Sequence, residues 1–80
     1  MSIRRYPTSK EAEAIYAQRE ADVADLASRG SINASDLESL DRLGRCKVAN
    51  DHWSICNEQA RKALLNDPHH FVRSCAVLAN

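Results

Sequence analysis

The chain has 80 residues, with 11 Lys and Arg against 11 Asp and Glu, 44% apolar residues and 28% charged ones. That length allows one domain, and the balance is that of an ordinary globular chain rather than a disordered one. No apolar run approaches membrane-spanning length, and Arg4 and Arg5 are not followed by the apolar segment of a signal peptide.

Aromatic residues are few (Tyr6, Tyr16, Trp53 and Phe71), so the core has to be built from Leu, Ile, Val and Ala, which suits packed helices. Two glycines and two prolines are too few for the turns of an all-β fold. The expected fold is all-α, a four-helix domain with antiparallel neighbours.

Residues 1–7 form a short arm carrying Arg4, Arg5 and Tyr6. The first helix is expected over 8–29. Thr8 and Glu11 have capping-box spacing. Ala12, Ile15, Tyr16, Val23, Leu26 and Ala27 then recur at three-and-four spacing as one apolar stripe to be buried. Gly30 suits the left-handed position that ends a helix.

A second helix is expected over 34–48. Asn33 or Ser35 can cap it, and Leu37, Leu40 and Leu43 mark its inner face. Gly44 either breaks this helix or sits inside it at a cost of roughly 1 kcal/mol relative to Ala. Asn50-Asp51 offers the cap of a third helix over 51–66, with Ile55, Cys56, Ala60, Ala63 and Leu64 facing inward. After a turn at Asn66-Asp67, a fourth helix is expected over 68–79. Asp67 caps it and Pro68 takes the first helical position, where its missing N–H costs nothing.

The last two helices carry Leu64-Leu65, then Asp67-Pro68, then Val72-Arg73, then Cys75-Ala76 and Leu78-Ala79. This pattern resembles a single HEAT-type helical repeat spanning at most Asp51 to Asn80. The resemblance implies a hairpin in which the Val is core and the Arg often meets an acidic or backbone group in the neighbouring repeat. HEAT arrays mostly bind proteins, and some helical-repeat folds handle nucleic acid.

Charge is unevenly spread. Ser9 to Asp41 holds eight acidic and three basic residues; Arg42 to Asn80 holds six basic and three acidic residues and all three histidines. The two halves are expected chiefly to attract each other.

Cys46, His52, Cys56, His69, His70 and Cys75 are all zinc-type ligands, but no Cys-x-x-Cys or His-x-x-x-His pair occurs, so no metal or cofactor is expected. Asp67, His69, His70 and Cys75 supply the residue types of a thiol nucleophile without a motif. Cys75 falls on the core face, whereas a reactive thiol needs exposure, so the chain is not expected to be an enzyme.

Three cysteines cannot all pair within one chain, which suits a reducing cytoplasm. The expected function is a non-enzymatic protein-binding module. Small inhibitors that occupy a partner's surface, such as anti-CRISPR proteins, antitoxins and immunity proteins, share this size class. The alternative is a small nucleic-acid-binding regulator using the basic C-terminal half. Candidate partner-binding residues are Arg45, Lys47, Trp53, Arg61, Lys62, Arg73 and Leu78, the cations for charge and Trp53 and Leu78 as apolar anchors. An exposed apolar C-terminal end also permits a homodimer.

Overall fold

Thr8 opens the first helix as its sequence dictates. Its hydroxyl accepts a hydrogen bond from the Glu11 amide at 3.1 Å, and the Glu11 carboxylate accepts from the Thr8 amide at 3.4 Å. These two bonds satisfy backbone donors that no helical turn can reach. The computed structural model describes residues 8–80; the arm with Arg4, Arg5 and Tyr6 lies outside them. Helix α1 runs Ser9–Ser28 and ends at Gly30, whose φ of 79° is left-handed.

The apolar stripe of α1 is only half used. Val23 and Leu26 are buried, but Ile15 is 48% and Tyr16 62% exposed, against the expectation of one continuous inner face. The reason is length. Twenty residues of helix span about 30 Å, while a ten-residue helix spans about 15 Å, and α3, against which α1 packs, has only ten residues. The N-terminal half of α1 overhangs α3, and the molecule with α1 included measures 44 × 26 × 20 Å.

The expected helix over 34–48 is two helices. Helix α2, Ala34–Leu37, is capped by Asn33, with Asp36 reaching back to the Asn33 amide. Helix α3, Arg42–Asp51, restarts at Asp41, whose carboxylate accepts from the Gly44 amide at 2.7 Å. Gly44 is therefore not the break. It sits buried in the first turn of α3, where an added Cβ would lie 3.2 Å from Leu40 Cβ and from Asp41 Oδ1. The restart also rotates the helix. Leu40, Cys46, Val48 and Ala49 are buried, and Leu43, expected inside, is exposed.

The expected helix over 51–66 begins late. Asp51 ends α3 instead of capping the next helix. Trp53–Ile55 form a single 3₁₀ turn, and Cys56 pairs with Ile32 in an isolated parallel bridge. The Ile32 amide donates to the Ile55 carbonyl and the Asn57 amide to the Ile32 carbonyl, each at 2.9 Å. This pairing holds the backbone extended at Cys56, so helix α4, Glu58–Leu65, starts only after Asn57, which caps it through the Ala60 amide.

Helix α5 runs His70–Ala79 rather than from Pro68. Asp67 accepts from the His69 amide at 2.9 Å and from Arg45, so it closes the turn one step before the helix instead of capping its first turn. His69 takes the cap position, its Nδ1 accepting from the Phe71 amide at 3.2 Å.

The fold is all-α. Helix α3 is its hub, packed most extensively against α5 and also against α1, α4 and the 3₁₀ turn. Val48, Ala49, Ala60, Leu64, Val72 and Ala76 are fully buried at the centre. Small residues in these positions let helix backbones approach closely, and the larger Leu64 and Val72 fill the volume between them.

Candidate functional site

Helix α5 carries apolar residues on both sides, with His70, Arg73 and Ser74 among them on the outer one. Its inner side places Val72, Cys75 and Ala76 in the core. Its outer side carries His70, Arg73, Ser74, Val77 and Leu78 along one shallow face, with Phe71 beside them. Leu78 is 86% exposed, Val77 63% and Phe71 53%. Large apolar side chains exposed on a helix whose other side is already core make that outer side a candidate contact surface.

The N-terminal end of this face is cationic. Arg42 Nη1 stands 3.5 Å from His69 Nε2, and the His69 and His70 rings stack with centroids 5.0 Å apart. Capping requires His69 Nδ1 to be bare, which places the single ring proton on Nε2 and fixes the tautomer. Partial burial, then Arg42 and His70, hold the His69 pKa below its ordinary value, against the opposing pull of Asp67. Arg73 donates to the Asp67 carbonyl at 2.6 Å while keeping its side chain largely in solvent on the outer face.

Among the described residues, a second open surface lies beside α1. Ile15, Gln18, Arg19, Asp22, Ser39, Leu40 and Asp41 line a cleft of about 250 Å³. Arg19 forms one wall. It grips the Asp41 carboxylate with Nε at 3.1 Å and Nη2 at 3.0 Å and lies over the Tyr16 ring at 5.3 Å. The hydrogen bond from Arg19 leads the effects that hold Asp41 below its usual pKa. The floor is apolar, from Ile15 and Leu40, and carboxylates stand on the rim.

The candidate residues from the sequence separate into three places. Arg73 and Leu78 meet on the outer face of α5. Trp53 and Arg61 meet elsewhere: the Arg61 guanidinium lies 5.5 Å from the Trp53 ring centroid and donates to the Trp53 and Ser54 carbonyls, fastening the 3₁₀ turn to α4. The remaining cations are engaged within the chain. Arg45 holds Asp67 with Nε at 2.6 Å and Nη2 at 3.2 Å and also donates to the Leu40 carbonyl. Lys47 pairs with Glu20 at 2.9 Å and Asp51 at 3.6 Å, and exposed Lys62 pairs with Glu58 at 3.5 Å.

Arg45 is thus a structural residue. Burial pushes the Asp67 carboxyl up, but the hydrogen bonds from Arg45 and the His69 amide outweigh it and hold the pKa below the ordinary carboxylate value. Phe71 and Arg42 belong to the α5 surface and Ile15 to the cleft, and none of the three was singled out as a binding residue. The signal for Phe71 was present: it stands seven residues before Leu78, and so on the same side of α5.

The cysteines sit apart from both surfaces. All three are buried free thiols. Burial, then the neighbouring Cys75, pushes the Cys46 thiol up to about 11, so it is protonated at neutral pH and is a poor nucleophile. Cys75 points into the core while His70 lies on the opposite side of α5, so the residue types of a thiol nucleophile do not converge. Among the described residues, no three of His, Cys, Asp and Glu come together to hold a metal ion, and no helix is long and apolar enough to cross a membrane.

Comparison with known protein families, with curated proteins and with solved structures finds no match.

Proposed function

We propose that this chain is a non-catalytic protein-binding module that docks a partner protein on the outer face of α5. The observation that carries the reading is the exposure of Phe71, Val77 and Leu78 on a helix whose other side is already core. Phe71 and Arg73 are of the types that dominate interface energetics, and Leu78 gives the apolar area beside them. The distribution of cations favours a protein over a nucleic acid as partner. Arg45, Lys47 and Arg61 of the basic half are engaged with Asp67, Glu20 and the Trp53 carbonyl, and are not free to line a phosphate track.

In this reading the α4–α5 hairpin serves as one HEAT-like unit. Leu64 and Val72 form its core, and Arg73 ties its turn through the Asp67 carbonyl. A small inhibitor that works by covering a partner's surface fits the same description. The free thiols fit a reducing cytoplasm.

A photo-crosslinking residue at position 78, and at position 62 as control, tests the reading in lysate from the source cell. A nuclease-resistant covalent adduct with one foreign protein is expected from position 78 and not from position 62. An adduct that disappears with nuclease, or none from position 78, overturns it.

A further inference from the structure

We infer that Arg42 and His69 form a site for one phosphate group, which accepts a hydrogen bond from each of them. The site stands whether or not α5 docks a partner. In the fold, the His69 ring faces a nitrogen donor at each end. Its Nδ1 meets the Phe71 amide at 3.2 Å, and its Nε2 meets Arg42 Nη1 at 3.5 Å. A neutral imidazole offers one lone pair, and arginine keeps its protons. Whichever tautomer is present, one of the two contacts sets donor against donor. The backbone amide is fixed by α5, whereas the Arg42 side chain is exposed and can turn. The shorter, capping contact therefore keeps the lone pair, and Nε2–H is left facing the guanidinium. An anionic oxygen placed beside the two converging N–H groups accepts from both.

The surrounding charges leave the position open to an anion. Among the described residues, Arg42 has no carboxylate partner. The carboxylates next to these residues along the chain are already taken. Asp41 is gripped by Arg19, and Asp67 by Arg45 and the His69 amide. His70 stacks on His69 with ring planes 19° apart, which helps to fix the direction of Nε2–H. A donor held in place beforehand loses little freedom when its ligand arrives. Arg42 opens α3 and His69 caps α5, so the two donors meet only in the folded chain.

Phosphate suits the pair better than carboxylate or chloride. As an ester it carries roughly −1.5 to −2 charge at neutral pH and three acceptor oxygens. One oxygen can take Nε2–H and another the guanidinium. A carboxylate brings less charge, and chloride has no second acceptor atom. The same chemistry reaches the site from two sources, inorganic phosphate or a phosphorylated side chain of a protein lying along α5. Two charge-assisted hydrogen bonds at an open site correspond to a Kd on the order of millimolar.

NMR of the intact chain at neutral pH tests this, with inorganic phosphate added at constant ionic strength against chloride. Nitrogen-15 spectra are expected to show His69 protonated on Nε2. That signal should shift along a saturable curve, while the ring of His52 stays unchanged. Binding is also read from the phosphorus-31 signal of the ligand, so that variants without His69 remain measurable. Arg42→Ala and His69→Ser are each expected to weaken phosphate binding about tenfold, and Lys62→Ala to leave it unchanged. Serine keeps an oxygen for the Phe71 amide but lacks the reach of Nε2. Should His69→Ser lose its helical signal in circular dichroism, Arg42→Ala, at the exposed first residue of α3, decides alone.

A His69 ring protonated on Nδ1 overturns the inference, because Nε2 then simply accepts from Arg42. So does a phosphate curve that fails to saturate, one that Arg42→Ala leaves unchanged, or acetate that binds as well as phosphate. Phosphoserine run in parallel separates the sources. Binding as tight as that of inorganic phosphate supports a phosphorylated side chain, and its exclusion while phosphate binds supports the inorganic ion. The two proposals fail separately. A chain that binds phosphate but crosslinks nothing from position 78 keeps this site and loses the docking face, and the opposite pair of results does the reverse.

Discussion

The two ends of the molecule are both helical, but for different reasons. Helix α5, ten residues of which seven are apolar, is held by burial: Val72, Cys75 and Ala76 lie against α3 and α4, and the turn before it is tied by Asp67 to Arg45 and by Arg73 to the Asp67 carbonyl. The first half of α1 buries almost nothing. It is held by a capping box and by a run of helix-favouring residues, with Ala12, Ala14, Ala17 and Ala21 interspersed among Glu and Lys. An unsupported helix of that length is marginal in water. Apolar periodicity alone therefore marks a helix without saying which part of it is core.

Core truncation should separate the two regions most strongly. Leu64→Ala, at a fully buried position between α4 and α5, is expected to cost about 3 kcal/mol, and the melting temperature should fall by roughly 4–8 °C for each kcal/mol in a chain of this size. Thermal unfolding followed by circular dichroism reads the loss, and a change under about 1 kcal/mol would mean that α5 is not held by burial.

Next comes the ion pair under the turn. Asp67→Asn keeps the shape but leaves Arg45 without its counter-charge. Because Arg45 keeps 20% of its side-chain surface in water, a loss of about 2 kcal/mol is expected, below the ~3–5 kcal/mol of a fully buried pair. Urea unfolding of the variant measures it, and wild-type stability would reduce the pair to a surface contact.

Acid should act on the same end. The His69 pKa in the folded chain lies below the ordinary 6.5, so the unfolded chain takes up its proton first. The contribution is fully present above 6.5 and is lost as pH falls through the folded value. Asp67 adds a second loss as pH falls below the ordinary 3.8 and through its own depressed value. Protonation at Nδ1 also removes the acceptor for the Phe71 amide, so hydrogen-exchange protection of the first turn of α5, measured against the intrinsic rate at each pH, should fall on acidification before global unfolding begins. Equal protection of that turn at neutral and mildly acid pH would contradict the cap.

The smallest effect belongs to α1. Ile15→Ala is expected to change monomer stability by less than about 0.5 kcal/mol, although Ile15 shares a stripe with buried Val23. A loss like that of Leu64→Ala would show that the overhang is packed after all.

Much of the fold was legible from short-range chemistry. Thr8 with Glu11 and the left-handed Gly30 gave the limits of α1, and the turn at Asn66-Asp67 was visible. The breaks at Asp41 and Asn57 were not, because an Asp or Asn on the outer side of an apolar repeat reads equally well as helix surface and as a cap. Asp67 was assigned to α5 because the guanidinium that claims it comes from Arg45, two elements earlier. Of the candidate surface, Arg73 and Leu78 were readable from α5 alone. The cleft was not, since it depends on where α1 outruns α3 and on the loop that carries Leu40 and Asp41.

Ile32 and Cys56 stand at the two ends of the segment containing α2, α3 and the 3₁₀ turn, and their bridge shuts that segment into a ring of backbone. Ring closure must be completed before the buried Ile32 side chain gains any contact, so its entropy falls on the approach to the folding barrier. Ile32→Val, which weakens the clasp without opening a large void, should therefore slow refolding more than it speeds unfolding in stopped-flow measurements. The order in which the chain assembles would then be governed by a loop residue outside every helix.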